Sequence, residues 1–276
     1  MTGNGNSWTY DSSETSGRMR QELHEIVRYR RLLSLMITNQ FRTRYRRSVL
    51  GTAWIFLSPL INTLVFSFAF GQLFRSDIPN YPVYVMIGLL VWTLFVQATE
   101  QSIGSAISSS QLSRRIYIPC GLTILSVVGA SVINFLLGLL PLFLVMSLAG
   151  YQPAISWLLL PLPILILAAF SLGVSLLVST LAVLVGDVAP IYSALVQVVF
   201  FITPVVYPRQ IVPDQFAWVF RVNPMVPIVD LFRAVLHENR VPDPVHLLIA
   251  IALASTTLVV GWWFHTRKAD EFPYYI

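Results

Sequence analysis

A single lysine, a single cysteine and very little charge define what this chain is not. Lys268 lies between Arg267 and Ala269. The Gly-Lys-Ser/Thr of a phosphate-binding loop, whose lysine must reach the β- and γ-phosphates, is therefore absent. ATP-driven work by this chain would need a separate ATPase. Cys120 stands alone, which excludes an intrachain disulfide. The histidines (His24, His237, His246 and His265) have no ligand spacing. His237-Glu238 opens like the HExxH of zinc proteases, but Val241 stands at the second histidine position. No metal site and no bound cofactor are expected. Charged residues make up 11% of the chain and hydrophobic ones 55%, whereas a soluble domain carries about a quarter charged. Lipid is the expected solvent.

What the chain has instead is apolar length. A helix crossing the hydrocarbon core needs about 20 mostly apolar residues. Six stretches qualify, at about 49–73, 83–107, 119–149, 155–185, 190–207 and 245–264. The third and fourth are longer than a crossing needs, and are expected to tilt or to bend near Gly138/Pro141 and Pro161/Pro163. The expected fold class is all-α integral membrane. The net charge of +5 points to positive cytoplasmic loops, not to nucleic acid. With six spans, the arginine-rich stretch up to Arg47, the Arg114/Arg115 loop and the Arg267/Lys268 tail share one side, so both termini are expected in the cytoplasm. Residues 1–18 are rich in Gly, Ser, Thr and Asn without an apolar core, and are expected to form a disordered tail without a secretory signal.

Two regions depart from plain spanning helices. Over 19–47, Tyr29, Leu33, Ile37, Phe41 and Tyr45 recur every fourth residue, while Arg28, Arg31, Arg42 and Arg46 fall elsewhere around the helix. This is an amphipathic helix on the inner membrane surface, either an anchor or a docking element. Over 204–244, Pro204, Pro208, Pro213, Pro224 and Pro227 interrupt an apolar stretch. Short helices at 213–220 and 225–237 fit either a re-entrant pair dipping into the membrane or an amphipathic surface loop. The last span and a short tail, 265–276, complete the chain.

Few side chains suggest catalysis. Glu100 is the one acid within the second span. It is either a functional intramembrane carboxylate or a helix-end group bonded to neighbours such as Gln97, Gln101 or Ser102. Asp187 sits in a short turn where it can cap the next helix. Asp230 and Arg233, three apart, are expected to pair on one helix face. A membrane-embedded enzyme acting on lipid-linked sugars would have to use Glu100, Asp187 or Asp230; a non-catalytic scaffold would need none of them. The aromatic residues Trp54, Phe56, Tyr84, Trp92, Phe95, Phe200 and Tyr207 fit interface belts and helix packing, or else a path whose rings stack on sugar faces.

Several segments together resemble one family. The run Phe41-Arg42-Thr43-Arg44-Tyr45-Arg46-Arg47-Ser48-Val49-Leu50-Gly51-Thr52-Ala53-Trp54, continuing to Ser58-Pro59-Leu60, resembles the opening of ABC-2 type permeases that export polysaccharides such as O-antigen, capsule and teichoic acid. Ser113-Arg114-Arg115-Ile116-Tyr117-Ile118-Pro119, Phe201-Ile202-Thr203-Pro204-Val205-Val206-Tyr207-Pro208 and Val222-Asn223-Pro224-Met225 resemble later family segments, in order. Gly186-Asp187-Val188 departs from the family's more usual Arg-Asp-Val/Ile. The resemblance implies a permease subunit that is not itself an enzyme. It would sit in a bacterial plasma membrane, paired with a second copy of itself and two copies of an ABC ATPase that holds ATP and Mg. It implies a polyprenyl-diphosphate-linked glycan as cargo, and the arginine-rich, lysine-poor composition is compatible with a wall-galactan exporter. It also implies that Arg42, Arg44, Tyr45, Arg46, Arg47, Ser110, Arg114, Arg115, Ile116, Tyr117 and Asp187 lie at the ATPase interface.

Overall fold

Proline and glycine set the helix ends in the computed structural model, which describes residues 28–45, 50–74, 78–112 and 120–268. Helix α1 covers Arg30–Tyr45. After a 3-10 turn at Gly51–Ala53, α2 runs over Trp54–Phe74 and α3 over Tyr81–Leu112. Helix α4 covers Cys120–Leu148, α5 Pro161–Leu184 and α6 Val188–Ile202. The short α7 (Ala217–Val222) and α8 (Met225–Leu236) precede α9 (Pro244–Lys268). Pro161 and Pro244 open their helices, where the missing N–H has no partner to lose. No strand occurs among the described residues.

The expected 155–185 span is one apolar stretch, Ile155–Leu184, that changes from 3-10 to α-helix at the bend expected near Pro161. Ile155–Leu159 forms a 3-10 turn and α5 starts at Pro161, whose ring and missing donor disfavour α-helix in the turn before it. Helix α4, by contrast, carries Pro141 inside it and ends in a Schellman motif. Gly150 adopts φ 83°, Tyr151 N–H donates to the Met146 carbonyl and Gly150 N–H to that of Ser147.

Among the described residues, five helical stretches are long and apolar enough to cross a membrane. The remaining expected span, 190–207, is helical only over the 15 residues of α6. That is about 22 Å, short of the roughly 30 Å hydrocarbon core. Side chains nevertheless fix the path of the whole segment. Tyr192 lies beside Thr99, Phe200 packs on Trp92 with ring centroids 5.5 Å apart, and the Tyr81 hydroxyl donates to the Val206 carbonyl at 2.6 Å. Residues 192–206 thus run antiparallel to α3 as far as its Tyr81 end.

Helix α3 is the hub. Some 72% of its apolar stretch is buried within the chain, against 11% for the α2 stretch. It packs on α2, α4, α5 and α8. Small residues and polar links let the helices approach: Gly138 faces Leu90, Asn134 donates to Gln97 at 2.9 Å, and the Ser175 hydroxyl donates to the Ala98 carbonyl. Helix α9 crosses α5 where Gly261 meets Gly173. Helix α1 rests on α4 through Ile37 against Gly129 and reaches α3 through Gln40, which donates to Ser105. Tyr29, Leu33, Ile37 and Phe41 are half-buried; Arg28, Arg31 and Arg42 are exposed.

Candidate functional site

The proline-broken stretch after α6 becomes a non-helical strap, Thr203–Pro208, and its carbonyls are captured from two sides. Tyr81 and Tyr84 on α3 donate their hydroxyls to Val206 and Tyr207. Arg233 on α8 donates Nη2 to the Val205 carbonyl at 2.8 Å. Because Pro204 and Pro208 prevent helix here, these carbonyls need outside donors. Gly88 makes the approach possible, since a Cβ there would lie 2.8 Å from the Val205 oxygen. The strap is closed by Asn223, whose Nδ2 donates to Thr203 Oγ1 and whose Oδ1 accepts from the Met225 N–H.

Helix α8 is almost wholly buried, with Phe232 edge-on to Phe135. Arg233 is only 4% exposed and its guanidinium lies 3.6 Å above the Tyr84 ring, a desolvated cation–π contact. The expected Asp230–Arg233 pair is not formed. Asp230 pairs instead with Arg209, 21 residues away, because the strap and Tyr84 already hold Arg233. At the end of α8, Asn239 turns the chain with φ 50°, Arg240 pairs with Glu238 and His246 with Asp243. His237 Nε2–H donates to the Pro79 carbonyl. Burial holds His237 below its ordinary 6.5, with nearby Arg233 acting the same way and the Pro79 bond opposing.

These groups surround a cavity of about 570 Å³ at the Tyr81 end of α3. A second cavity of about 200 Å³ lies between α2, α3 and α4, with Trp54, Asn62, Gln97 and Asn134 on its wall.

The aromatic candidates separate by position. Trp92 and Phe95 are buried, and Phe95 stacks on Phe170 at 5.6 Å. Within this chain they pack the core. Trp54 is 42% exposed, Phe56 is half-buried, and Phe200 bridges Phe66 and Trp92. Tyr84 holds the strap from α3, and Tyr207 is part of it, its hydroxyl donating to the Phe201 carbonyl.

At the opposite end, Arg42 is exposed on α1, and Arg44 and Tyr45 complete that helix. Ser110 lies in the last turn of α3. Arg46, Arg47, Arg114, Arg115, Ile116 and Tyr117 fall outside the described residues, as do residues 1–27 and 269–276. Asp187 is exposed in the α5–α6 turn and occupies the N-cap position of α6 without a side-chain cap bond, contrary to the capping expected. Of the neighbours expected for Glu100, Ser102 turns to the Ala98 carbonyl and Gln97 accepts from Asn134.

Reasoning from sequence missed Tyr81 and Tyr151, gave Arg209 and Arg240 no role, and met Asn223 only within the Val222–Met225 family segment. The available signal was the concentration of ionisable and amide groups inside an apolar, proline-rich stretch. Residues 31–237 match the family model described as ABC-2 type transporter. The chain is 32% identical over 257 residues to the O-antigen export system permease protein RfbA of Myxococcus xanthus, covering 91% of this chain and 97% of that one. A protein of the same description from Klebsiella pneumoniae is 30% identical over 206 residues, 72% of this chain and 80% of its own. The polysialic acid transport protein KpsM of Escherichia coli is 23% identical over 239 residues, 85% of this chain and 92% of its own. This all-α integral membrane chain belongs to the ABC-2 type transporter family.

Proposed function

We propose that this chain is the permease subunit of an ABC exporter that carries a lipid-linked polysaccharide from the cytoplasmic to the outer face of a bacterial plasma membrane. The observation that carries the reading is the near end-to-end similarity to an O-antigen export permease, 97% of which is covered. Working with a separate ABC ATPase follows from the family and fits a chain whose only lysine has no phosphate-loop context. The permease works as a pair with two ATPase copies that hold ATP and Mg. Its cargo is a glycan on a polyprenyl diphosphate, either wall galactan or an O-antigen-like polymer.

In this reading the chain crosses six times. The strap completes the crossing that α6 begins, since residues 192–206 accompany α3 to its Tyr81 end. The Leu112 end of α3, α1 and the α5–α6 turn face the cytoplasm, with both chain termini. The other end, with α7 and α8 as the re-entrant pair, faces outward. The apolar residues left exposed on α2 (Leu64, Val65, Phe68) and α6 (Leu195, Val198, Phe201) suit lipid as well as a second copy. Arg42, Arg44, Tyr45, Arg46, Arg47, Ser110, Arg114, Arg115, Ile116, Tyr117 and Asp187 form the coupling surface.

Co-expression tests the reading directly. The chain should purify with an ABC ATPase and should bind no ATP alone. Arg114→Glu with Arg115→Glu should leave the complex hydrolysing ATP while export falls at least tenfold. Unimpaired export would remove these arginines from the coupling surface. Turnover of a lipid-linked sugar by the chain without ATP would overturn the permease reading itself.

A further inference from the structure

The cavity at the Tyr81 end of α3 has two chemically different walls. One is aromatic: the His237 ring stands edge-on to Tyr84 at 5.6 Å and tilted to Tyr151 at 6.0 Å. Tyr151 is brought there by the Gly150 turn that ends α4. The other wall is polar: Arg209 pairs with Asp230 and Arg240 with Glu238, and His246 is hydrogen-bonded to Asp243. Arg233 forms part of the lining from its buried position.

The charge of this lining decides between ligand classes. Three guanidiniums (Arg209, Arg233, Arg240) face three carboxylates (Asp230, Glu238, Asp243), so the fixed charges cancel. A phosphate site would carry an excess of positive charge. A balanced wall of paired guanidinium and carboxylate offers donors and acceptors side by side, which is what vicinal hydroxyls require. Rings beside these groups, Tyr151 and His237 rather than Tyr84, whose face Arg233 covers, suit the C–H faces of a sugar ring. The volume, about 570 Å³, falls in the range of pockets that enclose small molecules, about 300–1,000 Å³.

We infer that this cavity is a saccharide-binding pocket, taking a short, uncharged stretch of glycan between its aromatic and ion-paired walls. The inference rests on the exporter reading, which places the cavity on the outer face, where it would hold emerging polymer within one permease.

The test uses the permease–ATPase complex in nanodiscs and saturation-transfer NMR. The probes are neutral di- to tetrasaccharides released by mild acid from the host's own surface polymer, with inorganic phosphate and phosphoethanolamine as competitors. Phosphoethanolamine stands for a zwitterionic lipid headgroup, which a balanced pocket would also accept. Transfer should reach the ring C–H protons, survive both competitors, and fall at least fivefold in Tyr151→Ala and in Arg240→Gln. Both changes lie at the rim, and ATP hydrolysis by each variant complex checks that it is folded. Absence of saccharide binding, binding unaltered in both variants, or displacement by phosphoethanolamine or phosphate would each overturn the inference. Wild-type export decides which reading has failed. If export proceeds while the pocket binds no sugar, only the pocket assignment falls; if the complex exports no glycan, the exporter reading falls with it.

Discussion

Adding one methyl group at Gly173 should force α5 and α9 apart. A Cβ there would lie 2.4 Å from the Thr257 carbonyl carbon and 2.5 Å from the Leu258 nitrogen, where ordinary contact begins at 3.4 Å. The shortfall is about 1 Å against backbone, which no rotamer change relieves. Gly261 is tighter still, since its Cβ would meet the Gly173 oxygen at 2.2 Å. Overpacking costs about 1–3 kcal/mol, and a gap of about 1 Å along a helix seam forfeits up to half of each dispersion contact. Each Gly→Ala variant should therefore lose about 2–3 kcal/mol, a shift of roughly 30- to 150-fold in the unfolding equilibrium. Steric trapping in bicelles measures that equilibrium directly. Because the two glycines face each other, the double variant should lose less than the sum, with a coupling of about 1 kcal/mol or more. Gly104→Ala is the control: nothing lies within 4 Å of its Cβ, and helix propensity alone should make it neutral or stabilising. A Gly173→Ala chain as stable as the parent would refute the close crossing.

Arg233→Met keeps the length of the side chain but removes the bond to Val205 and the contact over Tyr84. A net loss of about 1–3 kcal/mol is expected, together with faster amide exchange across the strap. A gain in stability would mean that the desolvation of this arginine outweighs its contacts. His237 sets a pH dependence. Its folded pKa lies below 6.5 because of burial, so the unfolded chain binds the proton more readily. The stability it contributes is therefore present above pH 6.5 and lost as the pH falls below that value. A titration of the unfolding midpoint from pH 8 to about 5 should show this loss, and His237→Gln should flatten it.

The long helices were legible because lipid imposes its demand residue by residue: a crossing segment must be apolar whatever it packs against. Their interruptions were legible for the same local reason, as proline removes a donor wherever it stands. The pairing of Asp230 was not, because the rule that relates residues three apart considers one helix alone. Arg209 competes from 21 positions away, and Arg233 is drawn off by Val205 and Tyr84. The strap shows the same limit. Thr203–Pro208 can be read as a break, but not as a set of carbonyls held by Tyr81 and Tyr84 from more than 120 positions away. Trp92 and Phe95 could not be separated from Trp54 by type, since only tertiary packing decides which ring is buried. The helix expected over 190–207 ends early because apolar character continues through Tyr207 while the prolines stop the helix at Ile202.

The distribution of burial also indicates which parts can move. Helices α3 and α8 are locked by core packing, whereas α2 and α6 leave Leu64, Phe68, Leu195 and Phe201 uncovered by the rest of the chain. Elements with few internal contacts reorganise at the least cost. Helix α6 is held most firmly at one end, where the Thr203–Asn223 bond and the captured strap fix it to α3 and α8, while near its start only Tyr192 beside Thr99 ties it to α3. Along Ile191–Val198 it has an exposed apolar face. It should therefore tilt about Thr203, its far end moving most. In the permease–ATPase complex, spin labels on Ile191 and on Val85 should change separation when ATP is added. Labels on Val226 and Val85, both buried in the fixed core, should not, and Asn223→Ala should broaden the Ile191 distances by loosening the pivot. If the core pair moves as far as the Ile191 pair, the chain shifts as one body and the pivot at Thr203 is wrong.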